Sequence, residues 1–343
     1  MKALVLRAPG DPPKINVEDV PIPVLGPQDV LIKISACGVC FHDILVMRGI
    51  LRRGIKTNVI LGHELSGHVI ECGSLVSNFA PGDLVTSILT DSCGFCIRCQ
   101  TGREHRCEDG IGIGHGIDGG FAEYVKLREN SLVKLNSDTD PISACLFGCP
   151  MGVALHALKD TAKIQPNETV LITGAGGGLG VHLIQIAQAL GAKTIAITSS
   201  KDKEHPLEEL GCHNVFYVPD LDFPELILGL TEDLGADVII DTLGAIAFNS
   251  CWSSLAQFGR MIILGDVQGG SVNIRPAEII FKDAQIIGVS GASKAQLYKI
   301  EEMVSQQLIR PVISQSFRFE EFMQLYELMR EKKILGRAIL IPN

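Results

Sequence analysis

The strongest constraint on the fold is an alternation of short β-branched runs with helical stretches, which begins at Thr169. The β-branched runs cover residues 169–173, 193–198, 214–218, 236–241, 259–265 and 284–288. Strands that are joined through helices pair in parallel by right-handed crossovers, and the helices cover both faces of the sheet. The sequence therefore predicts an α/β domain with a doubly wound parallel sheet of the Rossmann type.

A glycine-rich turn follows the first of these strands and precedes a helical run over residues 181–190. Its spacing is G-x-x-G-G-x-G rather than G-x-G-x-x-G. Glycines between a strand and a helix let the backbone approach a pyrophosphate, whose charge then lies at the helix N-terminus. The sequence predicts a dinucleotide site formed by Gly174, Gly177, Gly178, Leu179 and Gly180, with Asp241 at the end of the fourth strand.

The end of the second strand predicts which dinucleotide binds. NAD-selective folds place an acidic residue there, about 20 residues after the glycine-rich turn, to hold the ribose 2′-hydroxyl. This chain has Thr198-Ser199-Ser200-Lys201 instead, with Lys203 close by. Because hydroxyl and ammonium groups bind a phosphate, we expect Ser199, Ser200 and Lys203 to favour NADP(H) over NAD(H). The alternative is a solvated turn with loose selectivity.

The rest of the chain suggests a second domain, as expected for 343 residues. Residues 1–150 contain short strand-like runs separated by proline and glycine, which is typical of a β-rich, partly barrel-like domain. After residue 289, two amphipathic runs predict helices around 295–306 and 319–331, and residues 337–341 predict a closing strand.

Four cysteines form a C-x2-C-x2-C-x7-C pattern: Cys93, Cys96, Cys99 and Cys107. Two-residue spacers direct successive sulfurs towards one centre, and four thiolates saturate a tetrahedral zinc ion. Such a site organises a loop that has little apolar surface of its own. The pattern predicts a structural zinc site; unrelated thiols or two disulfides are the alternatives.

A second group of metal-type residues is scattered along the chain. Cys40 follows one strand-like run, His63 precedes another, and Cys149 lies ahead of the glycine-rich turn. Each alone is more often a buried structural residue. Together they offer two sulfurs and one imidazole, a set that leaves the fourth position of zinc open to water or substrate. Cys145 is a rival for the third ligand.

The order and spacing of these motifs resemble the zinc-dependent medium-chain dehydrogenases of the alcohol dehydrogenase type, over essentially the whole chain. The matching pieces are Gly38-Val-Cys40-x-x-Asp43, Gly62-His63-Glu64-x-x-Gly67, the four-cysteine pattern, Gly119-Gly-Phe-Ala-Glu-Tyr124, and Cys149 ahead of the glycine-rich turn. The resemblance implies that residues 1–150 and 289–343 form a GroES-like catalytic domain. Residues 151–288 would be an inserted Rossmann domain.

The resemblance also implies roles for single residues. Cys40, His63 and Cys149 would bind the catalytic zinc, and the offset of Cys149 from the following helix favours it over Cys145. Asp43 would orient His63, and Glu64 would approach the metal transiently. The implied reaction is hydride exchange between an alcohol carbon and the nicotinamide, with zinc as a Lewis acid on the oxygen.

One departure from the family concerns the proton path. Many members carry a serine or threonine two residues after the first zinc ligand, where its hydroxyl passes the proton outward. This chain has His42 there. An imidazole can carry protons near neutral pH, so His42 could replace the hydroxyl. The competing interpretation, that His42 lines the pocket or binds a substrate carboxyl or phosphate, stays open.

A basic segment over residues 47–56 suggests a second substrate class. Similar chains with arginine or histidine after the zinc cysteine include NADPH-dependent reductases of unsaturated acyl-CoA thioesters, and basic residues would suit the CoA phosphates. A solvated loop is the plainer explanation. Retention of all three zinc ligands favours alcohol, aldehyde or ketone chemistry, because double-bond reduction does not require zinc. A non-catalytic NADPH-binding protein is a further alternative, which loss of the ligands would mark.

Composition restricts partners and location. A net charge of −9 gives no sign of nucleic-acid binding, which would need a basic face. No apolar run reaches the roughly 18–20 residues that span a bilayer, and the start of the chain does not resemble a signal peptide. Eleven cysteines without such a signal indicate reduced thiols in the cytoplasm. We expect a small-molecule substrate, no membrane or nucleic-acid partner, and, from the resemblance, a homodimer or homotetramer paired through residues 284–289.

Overall fold

The computed structural model describes residues 1–342 and divides into two compact units. The first unit contains Met1–Gly152, Gly291–Gln306 and the chain from Ile313 onward, and the second contains Val153–Ser290 and Gln307–Val312. The predicted boundaries after residues 150 and 288 differ by two residues from these divisions. The segment 307–312, predicted in the catalytic domain, belongs instead to the second unit.

Strands and helices are numbered in chain order over the described residues. The strands are β1 (Lys2–Ala8), β2 (Lys14–Asp19), β3 (Asp29–Gly38), β4 (Val59–Ile60), β5 (Glu64–Cys72), β6 (Leu84–Ser87), β7 (Thr90–Asp91), β8 (Ile111–Gly112), β9 (Tyr124–Arg128), β10 (Leu132–Lys134), β11 (Thr169–Ile172), β12 (Lys193–Thr198), β13 (Asn214–Tyr217), β14 (Ala236–Asp241), β15 (Leu255–Ile263), β16 (Gln285–Gly288), β17 (Ile313–Phe317) and β18 (Arg337–Leu340). The helices are α1 (Phe41–Met47), α2 (Ile97–Gln100), α3 (Val153–Leu155), α4 (Gly178–Ala189), α5 (Glu204–Glu209), α6 (Pro224–Leu230), α7 (Phe248–Ser253), α8 (Pro276–Lys282), α9 (Lys294–Ser305) and α10 (Phe322–Arg330).

The first unit is β-rich, as predicted. Its larger sheet has the order β10-β6-β5-β3-β18-β17, with β9 also paired to β3, and a smaller sheet has the order β2-β1-β4. Strand β3 is largely apolar, and all of its residues except Asp29, Lys33 and Ser35 are buried, which is the pattern of a strand in the centre of a sheet. Large side chains that close the core include Phe121, Phe322 and Tyr326.

Strand β3 positions the site because two of its antiparallel neighbours, β5 and β18, begin beside its carboxyl end. In the antiparallel pair of β3 with β5, Gly38 lies opposite Glu64. In the antiparallel pair of β3 with β18, Gly38 lies opposite Ile339. The residues just beyond these positions on three distant chain segments are therefore brought to one end of the sheet.

The second unit is a six-stranded sheet with the order β13-β12-β11-β14-β15-β16, in which every neighbouring pair is parallel. The predicted doubly wound Rossmann sheet is confirmed. Its strand order reverses between β11 and β14, and ligands of such sheets bind at the carboxyl ends of the strands at this point. Strand β15 begins at Leu255, four residues before the predicted run, because its first part pairs irregularly with β14.

The two tail helices and the closing strand lie where the sequence predicts them. Helix α9 begins at Lys294, and α10 begins at Phe322 after a 3-10 turn over Phe319–Glu321. Among residues 1–342, no helix is both long and apolar enough to cross a membrane.

Candidate metal centre and nucleotide site

Strand pairing brings the scattered ligand candidates together. Cys40 lies at the start of α1, just after β3, and His63 directly precedes β5, the antiparallel partner of β3. Cys149 lies in a π-helical turn over Phe147–Gly152. One ligand atom from each of Cys40, His63, Glu64 and Cys149 lies within 4.8 Å of the other three. These four residues are called the metal centre below.

Cys145, the rival third ligand, is fully buried but belongs to none of the metal-type groups found among residues 1–342. The geometry therefore favours Cys149. Two sulfurs and an imidazole form a soft donor set that suits zinc. The residues present thus fit the ion that the sequence predicts.

Asp43 contacts two parts of the metal centre from a fully buried position. Its Oδ2 accepts a hydrogen bond from the backbone N–H of Cys40 at 2.9 Å, and its Oδ1 lies 3.4 Å from Nδ1 of His63. A carboxylate next to one ring nitrogen fixes the orientation of an imidazole and leaves the other nitrogen available to a metal. This placement supports the predicted orienting role of Asp43.

Arg337 is a member of the site that the sequence interpretation missed. It is 5% exposed, and its Nη2 lies 2.9 Å from Oε1 of Glu64, which is itself 0% exposed. Its Nη1 also donates to the backbone oxygen of Val39 at 3.5 Å. The available signal was an arginine at the start of an apolar closing strand, since arginine is rarely buried unless it is paired.

The electrostatics of the centre favour a cation. The hydrogen bond from Cys149 lowers the pKa of Cys40 well below that of an ordinary thiol, and against the effect of burial Arg337 lowers it further. The same hydrogen bond raises the pKa of Cys149. Burial raises the pKa of Glu64 to about 7, although Arg337 opposes this. Oε1 of Glu64 faces Arg337, whereas Oε2 has no hydrogen-bond partner among the described residues, which is a setting that a divalent ion can complete.

His42 lies beside the centre and contacts a second histidine. Its ring centroid is 5.3 Å from that of His63 and 5.3 Å from that of His115. Burial, and then the charge of His63, lower the pKa of His42. His115 was not singled out from the sequence, although it is the one histidine within the glycine-rich stretch 110–120. His42 thus has two histidine neighbours, His63 and His115.

The basic segment is exposed and partly neutralised. Arg48 lies 3.7 Å from a carboxylate oxygen of Asp11, and Lys56 forms an ion pair with Asp118. Nε of Arg52 donates to the backbone oxygen of Gly49 at 2.6 Å. Arg53 is exposed. The segment is therefore a solvated loop, which is the simpler of the two predictions, and its cationic groups lie at the surface.

The four cysteines Cys93, Cys96, Cys99 and Cys107 form a separate buried cluster, called the cysteine lobe. The sulfur of Cys107 lies 3.4 Å from that of Cys93 and 3.9 Å from that of Cys96, and Cys93 lies 4.0 Å from Cys99. A tetrahedron with zinc–sulfur bonds of about 2.3 Å has edges of about 3.8 Å. A disulfide would bring two sulfurs to about 2.05 Å, and all these cysteines are free. The lobe matches a tetrahedral zinc site.

The glycine-rich turn lies at the carboxyl end of β11, where the strand order reverses. Gly174 has a φ of +59°, in the left-handed region that side chains rarely adopt. Gly177 caps α4, whose first turn contains Gly178, Leu179 and Gly180. The first N–H groups of such a helix have no partner within it and point towards a bound phosphate.

The residues predicted to select the dinucleotide follow β12, and one of them, Lys203, lies against the glycine-rich turn. Lys203 is buried in a 3-10 turn after β12, and a Cβ on Gly176 would lie 2.5 Å from its Cδ, so its aliphatic stem covers the glycine-rich turn. Ser199 and Ser200 are half-buried at the end of β12, which carries Thr198 rather than an acid. The structure thus places the stem of Lys203 against the glycine-rich turn and the two serines directly after β12, the parallel neighbour of β11.

Asp241 supports this region from inside rather than facing a ligand. It is fully buried, and its carboxylate accepts hydrogen bonds from the hydroxyl of Thr173 at 2.8 Å and the backbone N–H groups of Leu243 at 2.9 Å and Gly244 at 3.1 Å. Burial raises its pKa. Direct contact between Asp241 and a cofactor, as expected from the sequence, does not fit this geometry. Asp241 ties β11 to the loop after β14.

Both halves of this chain match known protein-family domains. Residues 26–137 match the alcohol dehydrogenase GroES-like domain, and residues 178–306 match the zinc-binding dehydrogenase domain. The acryloyl-coenzyme A reductase of Sulfurisphaera tokodaii is 33% identical over 100% of both chains. An NAD-dependent alcohol dehydrogenase of the same organism is 29% identical, also over 100% of both chains.

The solved alcohol dehydrogenase of Aeropyrum pernix is similar in structure, with a TM-score of 0.93, 27% identity and coverage of 100% of both chains. Similarity of this degree extends over the full length of the chain and covers both units. The family predicted from the motifs is therefore confirmed. This chain belongs to the zinc-dependent medium-chain dehydrogenase/reductase family and is an oxidoreductase.

Proposed function

We propose that this oxidoreductase transfers a hydride between NADP(H) and an alcohol or the corresponding aldehyde or ketone. The observation that carries the proposal is the metal centre, in which Cys40, His63 and Cys149 converge on one point with Glu64 beside them. A zinc ion held by two sulfurs and one imidazole supplies a Lewis acid for the substrate oxygen and keeps one position open.

The remaining residues of the site have defined tasks in this proposal. Asp43 holds His63 in its orientation, and Arg337 balances the negative charge of Glu64 and Cys40. His42 is half-buried, with a pKa below its ordinary value, so its neutral imidazole can accept the proton that an alcohol releases. Binding of a substrate carboxyl or phosphate by His42 is the competing task.

The preference for NADP(H) is supported by the end of β12. No carboxylate stands at that position to repel a 2′-phosphate, Ser199 and Ser200 follow the strand directly, and the stem of the buried Lys203 lies against the glycine-rich turn. A higher kcat/KM with NADP(H) than with NAD(H) is the expected result. The opposite order would contradict this part of the proposal.

A second candidate function is reduction of an unsaturated acyl-CoA with NADPH. It is favoured by the similarity over the whole chain to an acryloyl-coenzyme A reductase and by the exposed Arg48, Arg52, Arg53 and Lys56, which suit the phosphates of CoA. The chemistry differs in one respect that can be tested. Carbonyl reduction uses the metal centre, whereas double-bond reduction does not require it.

The two functions are separated by one set of assays. The zinc-loaded enzyme and its His63→Ala variant are compared with NADPH and either a panel of aldehydes and ketones or acryloyl-CoA. The proposed function predicts turnover of carbonyl substrates that the variant loses. Turnover of acryloyl-CoA alone, unchanged in the variant, would favour the second candidate. No turnover of either class, with or without metal, would contradict both and leave a non-catalytic NADPH-binding protein.

We also propose that the protein is a homodimer or homotetramer. Strand β16 is the edge of the second unit's sheet, and the adjacent helix α8 exposes Ile280 and Phe281, which are 68% and 80% exposed. An unpaired sheet edge beside exposed apolar side chains is a surface that a second copy can cover. A small-molecule substrate remains the expected partner of the site, with no membrane or nucleic acid involved.

A further inference from the structure

We propose that His182 is a positioning residue for the dinucleotide: its imidazole orients the peptide group that joins Gly178 to Leu179 in the first turn of α4. This inference rests on the proposed function, because it assumes that the glycine-rich turn binds the phosphates of NADP(H). It adds a residue outside that turn, on the inner face of α4, to the machinery that holds the cofactor.

The contacts of His182 are defined on both sides of its ring. The side chain is 0% exposed. Its Nδ1 lies 2.6 Å from the backbone oxygen of Gly178, and its Nε2 lies 3.0 Å from the backbone nitrogen of Val312. All three residues belong to the second unit. The imidazole thus bridges the helix and the segment 307–312.

These two partners determine the tautomer. A carbonyl oxygen can only accept a hydrogen bond, so Nδ1 of His182 carries the proton. The backbone N–H of Val312 can only donate, so Nε2 is the unprotonated nitrogen. The contacts therefore require a neutral imidazole in which Nδ1–H donates to Gly178 and Nε2 accepts from Val312.

The consequence for the cofactor follows from the planarity of the peptide bond. The carbonyl of Gly178 and the N–H of Leu179 lie in one rigid plane and point in opposite directions. When the imidazole of His182 fixes the carbonyl of Gly178, it also fixes the direction of the Leu179 N–H. This N–H is one of the free donors of the first turn. A donor on the carbonyl also polarises that N–H and strengthens its bond to an anion.

A neighbouring residue provides a matched control. Gln185 lies one turn further along α4, and its side chain accepts from the backbone N–H of Arg310 at 2.9 Å and donates to the oxygen of Arg310 at 3.1 Å. It fastens α4 to the same segment as His182 does. It does not reach Gly178, so its loss removes an anchor without touching the phosphate-facing peptide.

The test compares dinucleotide affinity in His182→Leu, His182→Asn and Gln185→Leu with the unchanged protein. Each zinc-loaded protein is titrated with NADPH, and the quenching of its single tryptophan is followed without turnover. We expect the Kd of His182→Leu to rise about tenfold, as for one lost hydrogen bond that the ligand senses. Asparagine can place an N–H near the Nδ1 position, so His182→Asn should recover most of the affinity. Gln185→Leu should stay within about twofold of the unchanged protein.

Kinetics give a second readout. For His182→Leu, the KM for NADPH should rise while kcat at saturating NADPH stays unchanged. Affinity equal to that of the unchanged protein in His182→Leu, equal losses in His182→Leu and Gln185→Leu, or no recovery in His182→Asn would each overturn the inference. Failure of the unchanged protein to bind any dinucleotide would contradict the proposed function instead.

A measurement on the unchanged protein covers the case in which the leucine variant does not fold. The ¹⁵N resonances of the histidine rings report which nitrogen is protonated. We expect His182 to be in the Nδ1–H form, and its Nδ1–H resonance to shift when NADPH binds. An Nε2–H form, or no response to NADPH, would overturn the inference.

Discussion

The carboxylate of Glu64 occupies a space that is open only because residue 38 is a glycine, since a Cβ at that position would collide with Oε2 of Glu64. The same carboxylate faces Arg337 on its other side. Glu64 could be predicted from the sequence because it adjoins His63. Arg337 could not, because it reaches the metal centre only through the pairing of β18 with β3. Local motifs identify ligands, but not a charge partner from the far end of the chain.

Replacement of Arg337 by methionine should destabilise the protein strongly. The change leaves the fully buried Glu64 without its cation, and removing one partner of a buried ion pair costs about 3–5 kcal/mol. Urea unfolding at neutral pH measures the effect. The double variant Arg337→Met with Glu64→Gln should recover most of the loss, because no buried charge then lacks a partner. A single variant as stable as the unchanged protein would show that the pair does not contribute.

The proposed role of His42, acceptance of the proton from the alcohol, can be tested with a pH–rate profile. Burial lowers its pKa below the ordinary value of 6.5. If its neutral form accepts the proton, kcat/KM for alcohol oxidation should be constant above pH 6.5 and fall on the acid side of the lowered pKa. His42→Gln should remove this acid limb and reduce the rate roughly 10²-fold. A variant with an unchanged profile would leave His42 as a residue of the pocket wall.

Among the elements, those with a clear periodicity were predictable and those set by tertiary contacts were not. The parallel strands, α4 and α9 follow from β-branched runs and helical periodicity, and they lie within a few residues of their predicted places. The π-helical turn that carries Cys149 has no such local pattern, and it contains Pro150. From the sequence, only the family resemblance could favour Cys149 over Cys145. In the structure, Cys149 belongs to the metal centre and Cys145 does not.

Replacement of one cysteine of the cysteine lobe should remove the metal of the lobe and leave the metal centre unaffected. Cys107→Ser removes one of four sulfurs that lie within 4.8 Å of one another, and zinc content should fall by about one ion per chain. Elemental analysis of the purified variant measures this. Cys72→Ser, which changes a half-buried cysteine outside both groups, is the control and should keep its full metal content. Equal zinc content in both variants would contradict the assignment of the lobe.

For the whole molecule, the two units could be predicted because short strands separated by proline and glycine give way to alternating strands and helices along the chain. The unit to which residues 307–312 belong could not be predicted. Residues 307–312 belong to the second unit although the chain before and after them belongs to the first. The reason lies in side-chain contacts: His182 and Gln185 hold the backbone of Val312 and Arg310. No periodicity in such a short segment indicates these bonds.

The proposed assembly makes a prediction at this scale. Charges introduced on α8 next to the edge strand, as in Ile280→Glu with Phe281→Lys, should prevent association because both side chains are exposed and apolar. Light scattering after size exclusion should give the monomer mass for this variant and a dimer or tetramer for the unchanged protein. A charge introduced at the exposed Leu230, on another helix of the second unit, should leave the measured mass unchanged. A monomeric unchanged protein would contradict the proposal.

We propose that turnover depends on a zinc ion held by Cys40, His63 and Cys149. The most direct measurement is zinc content together with carbonyl-reductase activity in Cys149→Ser and in its matched control Cys145→Ser, a buried cysteine four residues earlier. We expect about two zinc ions per chain and full activity for Cys145→Ser, but about one zinc ion and no activity for Cys149→Ser. Loss of zinc and activity in Cys145→Ser, with both retained in Cys149→Ser, would contradict it.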